Sequence, residues 1–218
     1  MNFVFLGPPG SGKGTQAKTV SEELRILHLS TGDLLREAVR NGTSIGKQAK
    51  KYMEAGELVP DEIIVGIIED KLKSGDLDSG FILDGFPRTV PQADALKKMF
   101  EKNNKKIDRA ILLDVPDEEV VRRLSGRFYC PGCNAGYNYP AKMPRKEGIC
   151  DVCGTVLRRR PDDEEDVVRN RLAVYKKQTE PIVDFYRRES LLSEVNAEGS
   201  IDSIHERLLR LMREVKRK

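Results

Sequence analysis

The chain has 218 residues, 39% of them hydrophobic and 33% charged, with a net charge of +3. That length builds one sizeable domain or a single core with small insertions, and the composition is that of a soluble globular protein. No apolar run approaches the ~18 residues of a membrane span, the N-terminus lacks the basic flank and cleavage site of a signal peptide, and the charge is too mild to argue for nucleic acid by itself. The expected compartment is the cytoplasm.

Asn2–Leu6 is a short apolar run that predicts a buried strand ending in a glycine-rich stretch. A helix is expected over Lys13–Glu23, and Leu27–Leu29 reads as a second strand halting at Ser30-Thr31-Gly32-Asp33. Helical patterns then cover 33–41, 45–54 and 61–73, the last preceded by Pro60 and capped by Asp61. Phe81–Asp84 is a buried strand that ends in a carboxylate, and a helix follows over Pro91–Lys102. Arg109–Val115 predicts another buried strand, and Pro116-Asp117 starts a helix that reaches Ser125. Residues 127–163 differ in kind: they hold all the cysteines, several Gly and Pro, and little apolar periodicity. One long helix is expected over Glu164–Arg188, then a strand at Leu191–Val195 and a helix at Ile201–Val215.

Strands alternating with helices predict an α/β fold, a parallel sheet of four or five strands covered on both faces. Residues 30–59 and 127–163 interrupt the alternation and read as inserted subdomains on a core of 1–29, 60–126 and 164–218.

Gly7-Pro8-Pro9-Gly10-Ser11-Gly12-Lys13 matches G-x-x-x-x-G-K between a predicted strand and a predicted helix. Glycines let backbone N–H groups converge on phosphate oxygens, the helix N-terminus adds partial positive charge, and Lys13 is placed to reach the outer phosphates of a nucleoside triphosphate. The general motif has Ser or Thr after the lysine to hold magnesium, whereas here Gly14 stands there and Thr15 follows. Magnesium is therefore expected to be held through phosphates, water and Asp84. No guanine-reading N-K-x-D is present, since Asp108 lies one residue late after Asn104-Lys105-Lys106-Ile107.

Cys130, Cys133, Cys150 and Cys153 form two C-x-x-C pairs separated by 16 residues. In a reducing compartment that spacing reads as a closed tetrahedral zinc site, structural because four thiolates leave no position for substrate. A metal would stiffen a segment too small to have its own core.

Ser30-Thr31-Gly32-Asp33-Leu34-Leu35-Arg36 and Asp84-Gly85-Phe86-Pro87-Arg88-Thr89-Val90-Pro91-Gln92 resemble the acceptor-site motifs of the adenylate kinase family. Gly7–Thr15 is similar to that family's form of the P-loop, and Arg123-Leu124-Ser125-Gly126-Arg127, Arg160-Pro161-Asp162-Asp163 and Arg171 to its lid-hinge and arginine motifs. The cysteine segment resembles the zinc-bearing long lid found in part of the family. The resemblance runs in order along nearly the whole chain.

It implies a P-loop NTPase core of three layers, α/β/α, working as a monomer on Mg-ATP + AMP ⇌ Mg-ADP + ADP, with residues 30–59 closing over AMP and 127–163 over ATP. ATP would be held by Gly10, Ser11, Gly12, Lys13, Gly14, Thr15, Arg123 and Arg127, with Gly136, Tyr137 and Gly199 on the lid and adenine side. AMP would be held by Thr31, Arg36, Glu57, Leu58, Val59, Gly85, Phe86, Pro87, Arg88, Gln92, Arg160 and Arg171, the Gln92 amide suiting an adenine edge. Lys13, Arg88, Arg127, Arg160 and Arg171 would carry the catalytic charge, since transfer between two anions needs positioning and neutralisation more than a base. Asp33 and Asp84 would organise magnesium-bound water. A capping role competes for Asp33, and likewise for Asp162 and Asp163, which otherwise act as lid switches. Three places depart from the family pattern: Asn134, the run Gly136-Tyr137-Asn138, and Asn196-Ala197-Glu198-Gly199. A kinase for UMP or CMP, and a zinc-ribbon nucleic-acid binder, are the rival readings.

Overall fold

A computed structural model describes residues 1–215, so the last three positions of the expected core segment 164–218 lie outside the described residues. The chain runs β1 (Asn2–Leu6), α1 (Lys13–Leu24), β2 (Leu27–Ser30), α2 (Thr31–Arg40), α3 (Ser44–Ala55), α4 (Asp61–Lys73), β3 (Phe81–Asp84), α5 (Val90–Lys102), β4 (Arg109–Asp114) and α6 (Asp117–Ser125). The cysteine segment contributes β5 (Arg127–Tyr129) and β6 (Gly136–Asn138), and a single 3-10 turn at Pro161–Asp163 brings the chain back. Then follow α7 (Glu165–Val174), α8 (Pro181–Arg188), β7 (Leu192–Asn196) and α9 (Ile201–Val215).

Successive side chains of a strand point to opposite faces, so a strand apolar at every position must be covered on both. β1 shows the consequence: Val4 and Leu6 join one buried cluster, Phe3 and Phe5 the other. β3 and β4 divide in the same way, Phe81, Leu83 and Ala110 against Ile82, Ile111 and Leu113. Helices α2, α3, α4, α5 and α8 cover the first face; α1, α6, α7 and α9 cover the second. The five strands lie in the order β2-β3-β1-β4-β7, each neighbouring pair parallel. A parallel sheet puts all its carboxyl ends on one edge, and there the chain delivers Gly7, Thr31, Gly85 and, after β7, Ala197. In open α/β sheets that edge is where ligands bind.

Three elements differ from the sequence-based expectation. Asp61 does not cap α4: it is the helix's first residue, Pro60 precedes it, and no side chain caps the end. α2 begins at Thr31, because the Ser30 hydroxyl accepts from the Asp33 amide at 3.2 Å and caps the helix. The helix expected over Glu164–Arg188 is two helices joined by a π turn at Tyr175–Thr179. Pro181 has no N–H, and its ring crowds the carbonyl four residues back. The chain adapts by widening one turn, with Glu180 N donating to Tyr175 O at 2.8 Å.

The cysteine segment stands apart from the sheet. β5 and β6 form an antiparallel pair of their own, and Cys130, Tyr137, Cys150 and Leu157 make a separate small cluster with Phe128 and Ala135 packed on it.

Candidate active site

The turn after β1 is shaped by close approach. A Cβ on Gly7 would lie 2.6 Å from the Leu113 carbonyl oxygen, and one on Gly10 2.9 Å from Leu124 Cγ; both residues have positive φ. Lys13, in the first turn of α1, folds its side chain back over the loop. Its Nζ donates to the carbonyls of Gly7 at 2.6 Å and Pro8 at 2.8 Å. By surface the residue is only half-buried, but protein surrounds the ammonium itself. Burial pushes its pKa down to about 7; Arg88, Arg171 and Arg127 press the same way, and the Asp84 carboxylate opposes them. Gly14 has a spatial reason as well. A Cβ there would sit 3.3 Å from Asp84 Oδ2, so the carboxylate occupies ground next to which the general motif keeps a hydroxyl.

Asp84 ends β3. Burial pushes its carboxyl upward, but a bond from His28 Nε2 at 3.4 Å and the charges of Lys13 and Arg88 outweigh this, and its pKa lies below the ordinary value. His28 on β2 is thus a partner of the carboxylate rather than a mere packing residue. Asp33 behaves alike: burial raises it, while Arg36, Ser30 and Arg160 bring it down, and its Oδ1 takes Arg36 at 2.6 Å. Ser30, not Asp33, caps α2.

On the other side of β3, Thr31 Oγ1 donates to the Gly85 carbonyl at 2.9 Å, and Arg88 Nε donates to the same carbonyl at 2.9 Å. Phe86 and Pro87 are buried beneath this turn. Arg88 is exposed along the cleft, yet the protein crowded around its guanidinium, with Arg171 and Arg36 nearby, brings it down to about 10. It stays charged at neutral pH. Gln92 is buried, its Oε1 accepting from Arg88 N at 2.7 Å and its Nε2 donating to Asp61 at 2.6 Å. Val59 is buried after the α3 cap at Gly56, Leu58 is half-buried and Glu57 exposed.

The remaining arginines come from the far side. Arg127 makes a two-pronged pair with Asp163, Nε donating at 2.6 Å, and Arg171 reaches both Asp163 at 3.3 Å and Asp162 at 2.9 Å. Neither aspartate caps α7; both are held by guanidinium groups. Burial lowers Arg171 and takes Arg160 down to about 10, with Arg36 and Arg127 adding to the effect on Arg160. Arg160 lies over the Tyr129 ring, and its buried Nε finds no partner among the described residues. Arg123 is held by Glu119 at 2.7 Å and bridges the Ser11 carbonyl at 3.2 Å to the Ala197 carbonyl at 2.7 Å. It ties the phosphate loop to the turn that carries Gly199.

The cysteines also meet. Their Sγ atoms all lie within 4.8 Å of one another, with Cys130–Cys153 at 3.3 Å and Cys133–Cys150 at 3.5 Å, and none is in a disulfide. Thiolates about 2.3 Å from a tetrahedral zinc lie roughly 3.8 Å apart, so the quartet fits that ion. The Cys133 amide points at Cys130 Sγ and the Val152 amide at Cys150 Sγ, both at 3.4 Å; at Cys150 the Tyr137 hydroxyl, with the Val152 amide adding to it, brings the thiol down to about 6.

The family model described as adenylate kinase matches residues 5–191. The adenylate kinase of Methanothrix thermoacetophila is 51% identical over 212 residues, covering 97% of this chain and 98% of that one. Those of Archaeoglobus fulgidus and Thermodesulfovibrio yellowstonii are 49% and 50% identical, covering 99% and 94% of this chain and 100% and 95% of theirs. The chain belongs to the adenylate kinase family. Reversible phosphoryl transfer between ATP and AMP is that family's reaction, with magnesium accompanying ATP. Among the described residues no helix is long and apolar enough to cross a membrane.

Of the residues expected at an adenylate kinase site, Lys13, Asp84, Arg88, Arg160 and Arg171 have their titration shifted by neighbouring charges, Arg36 and Arg127 among those neighbours. Tyr137 is engaged elsewhere: its hydroxyl donates to Cys150 Sγ at 3.5 Å and accepts from the Asp151 amide at 2.7 Å. Gly136 and Gly199 are exposed. Sequence reasoning missed Glu119 and Asp61 as partners of Arg123 and Gln92. The four-residue spacing of Glu119 and Arg123 on one helix was a usable signal; the pairing of Asp61 with Gln92, from another helix, had none.

Proposed function

We propose that the chain transfers the terminal phosphoryl group of Mg-ATP to the phosphate of AMP through the cationic cluster just described. The observation that carries this is Lys13, an ammonium forced down to about 7 by burial and by three arginines, at a helix N-terminus on the carboxyl edge of the sheet. Such crowding of cations is unfavourable until anions enter, and two phosphate chains are anions of the right number and place.

In this reading an oxygen of the AMP phosphate attacks the γ-phosphorus, the bond to the β-bridging oxygen breaks, and ADP departs. The amides of Gly10, Ser11, Gly12, Gly14 and Thr15 hold the ATP phosphates with Lys13. Arg36 and Arg88 grip the AMP phosphate; Thr31, Gly85, Phe86, Pro87 and the 57–59 backbone line its pocket; Gln92 reads the base. Arg127, Arg160 and Arg171 neutralise the group in transit, and Arg123 and Gly199 border the ATP adenine. Gly136 offers backbone to ATP, and Tyr137, its hydroxyl committed to the cysteines, offers its ring. Asp33 and Asp84 would hold magnesium through its bound water. Magnesium bound with ATP withdraws charge from the phosphate oxygens, whereas a metal held by four thiolates has no open position and supplies shape alone.

Residues 30–59 and 127–163 are read as two closing subdomains. The support is that Arg127 and Arg171 spend their guanidinium groups on Asp162 and Asp163, bonds that incoming phosphates replace. Closure excludes water, which otherwise takes the phosphoryl group. We place the chain in the cytoplasm, acting as a monomer. The test is direct detection of ADP from Mg-ATP with AMP, GMP, CMP or UMP as acceptor. ADP formed with AMP alone is the expected result. Faster transfer to UMP or CMP would reassign the acceptor, and none to any of the four would overturn the reading.

A further inference from the structure

Asp61 opens α4, but both of its carboxylate oxygens go to α5. Oδ1 accepts from Gln92 Nε2 at 2.6 Å, and Oδ2 from Thr89 Oγ1 at 3.1 Å. Thr89 caps α5 in turn, its hydroxyl oxygen accepting from the Gln92 backbone N–H at 3.2 Å. These bonds close a ring around a glutamine that is only 2% exposed.

A primary amide can turn over and exchange its oxygen for its NH2, reversing what it recognises. Both neighbours of the Gln92 amide forbid this. The Arg88 backbone N–H can only donate, so it demands Oε1; the ionised Asp61 can only accept, so it demands Nε2. One lone pair and one amide hydrogen remain, in a fixed order. A 6-aminopurine presents a donor at position 6 and an acceptor at N1. A 6-oxopurine presents the reverse. An amide held one way matches one of them.

We propose that Asp61 is a positioning residue that sets the purine selectivity of the acceptor site, holding the Gln92 amide in the orientation that accepts 6-amino and rejects 6-oxo bases. This rests on the reading of Gln92 as the group that faces the acceptor base.

The experiment compares kcat/KM for AMP and for IMP, which differ only at position 6 and the adjoining N1. Asp61→Asn keeps the shape but can donate as well as accept, so it lifts one of the two constraints and leaves the Arg88 N–H alone to hold the orientation. The AMP:IMP ratio is expected to fall about tenfold, with KM for ATP and the melting temperature little changed. Asp61→Glu, which keeps an acceptor-only group, retains most of the ratio. Gln92→Ala lowers the ratio at least as far, and adding Asp61→Asn to it causes no further loss, because Asp61 acts through Gln92. Equal losses for AMP and IMP in Asp61→Asn would make Asp61 a plain support for α5 and overturn the inference while leaving the role of Gln92 standing. An unchanged ratio in Gln92→Ala would overturn both.

Discussion

The cationic groups come from two regions that are held in place differently. Lys13 and Arg88 sit on turns at the carboxyl edge of a five-stranded sheet, with Phe3, Val4, Ile82 and Leu83 wholly buried beneath them. Arg127 and Arg160 flank a segment whose buried cluster is Cys130, Tyr137, Cys150 and Leu157, while Val152 and Val156 lie exposed at 73% and 60%. The first region inherits its geometry from apolar burial and stores electrostatic repulsion on top of it. The second has too little apolar surface to order itself, and relies on four thiols and on ion pairs to the 3-10 turn at Pro161–Asp163. Perturbations of charge should therefore strike the first, and perturbations of the thiols the second.

The largest expected effect is on the first region. On the proposed reading Lys13→Met removes a charge that faces the phosphates, and kcat should fall about 10³-fold, the scale of one lost transition-state donor. The same change relieves a buried cation of three like-charged neighbours, so the melting temperature should rise. A fall in both would show that Lys13 holds the loop together through its bonds to Gly7 and Pro8 more than it repels the arginines.

Next comes the second region. Removing the metal with a chelator, or replacing Cys130 and Cys150 together by Ser, should cost roughly 100-fold in activity by releasing Arg127 and Arg160 from their bearings. Hydrogen exchange should accelerate through residues 128–157 while β1, β3 and β4 keep their protection. Parallel loss of protection in both places would break the contrast, since the sheet would then depend on the segment it appends.

The same division explains what was legible in the sequence. The sheet core, the phosphate loop and the cysteine quartet are written in local patterns: apolar runs of strand length, glycines before a lysine, and paired C-x-x-C spacings. The π turn at Tyr175–Thr179 was hidden because Pro181, the cause, also reads as an acceptable first-turn residue of a new helix. Asp61 looked like a helix opener by position, and only the approach of α5 shows that its oxygens are used elsewhere. Tyr137 carried an expectation about ATP, yet its hydroxyl lies against Cys150, a contact across 13 residues of irregular chain that no period encodes. Local chemistry survives translation into sequence; the pairing of side chains from distant turns does not.

Gly14→Ser sharpens the contrast within the first region. The substitution restores the hydroxyl of the general motif, but its Cβ would lie 3.3 Å from Asp84 Oδ2. The carboxylate must shift, and with it the bond to His28 and the charge opposite Lys13. A loss of about tenfold in kcat is expected, with KM for AMP little changed. Equal or better turnover, measured over a magnesium titration, would mean that the hydroxyl serves the metal as well as the carboxylate does.

The smallest effect is a fraction of a proton, and it reads the stored repulsion directly. Lys13 has a folded-state pKa of about 7, below the 10.5 of the free side chain, so folding disfavours its charged form. Between these values the unfolded chain keeps a proton that the native chain has released, and stability contributed by this group rises with pH across that window; below pH 7 both states are charged and the penalty is fully present. Phosphates placed beside the ammonium reverse the shift. With a pKa near 7, Lys13 is mostly neutral at pH 8, and ATP binding should draw in up to about 0.9 proton. Calorimetric titration in buffers of different ionisation enthalpy gives that number as a slope. In Lys13→Met the slope should fall close to zero, while chelated protein, if the two regions are held independently, should keep it.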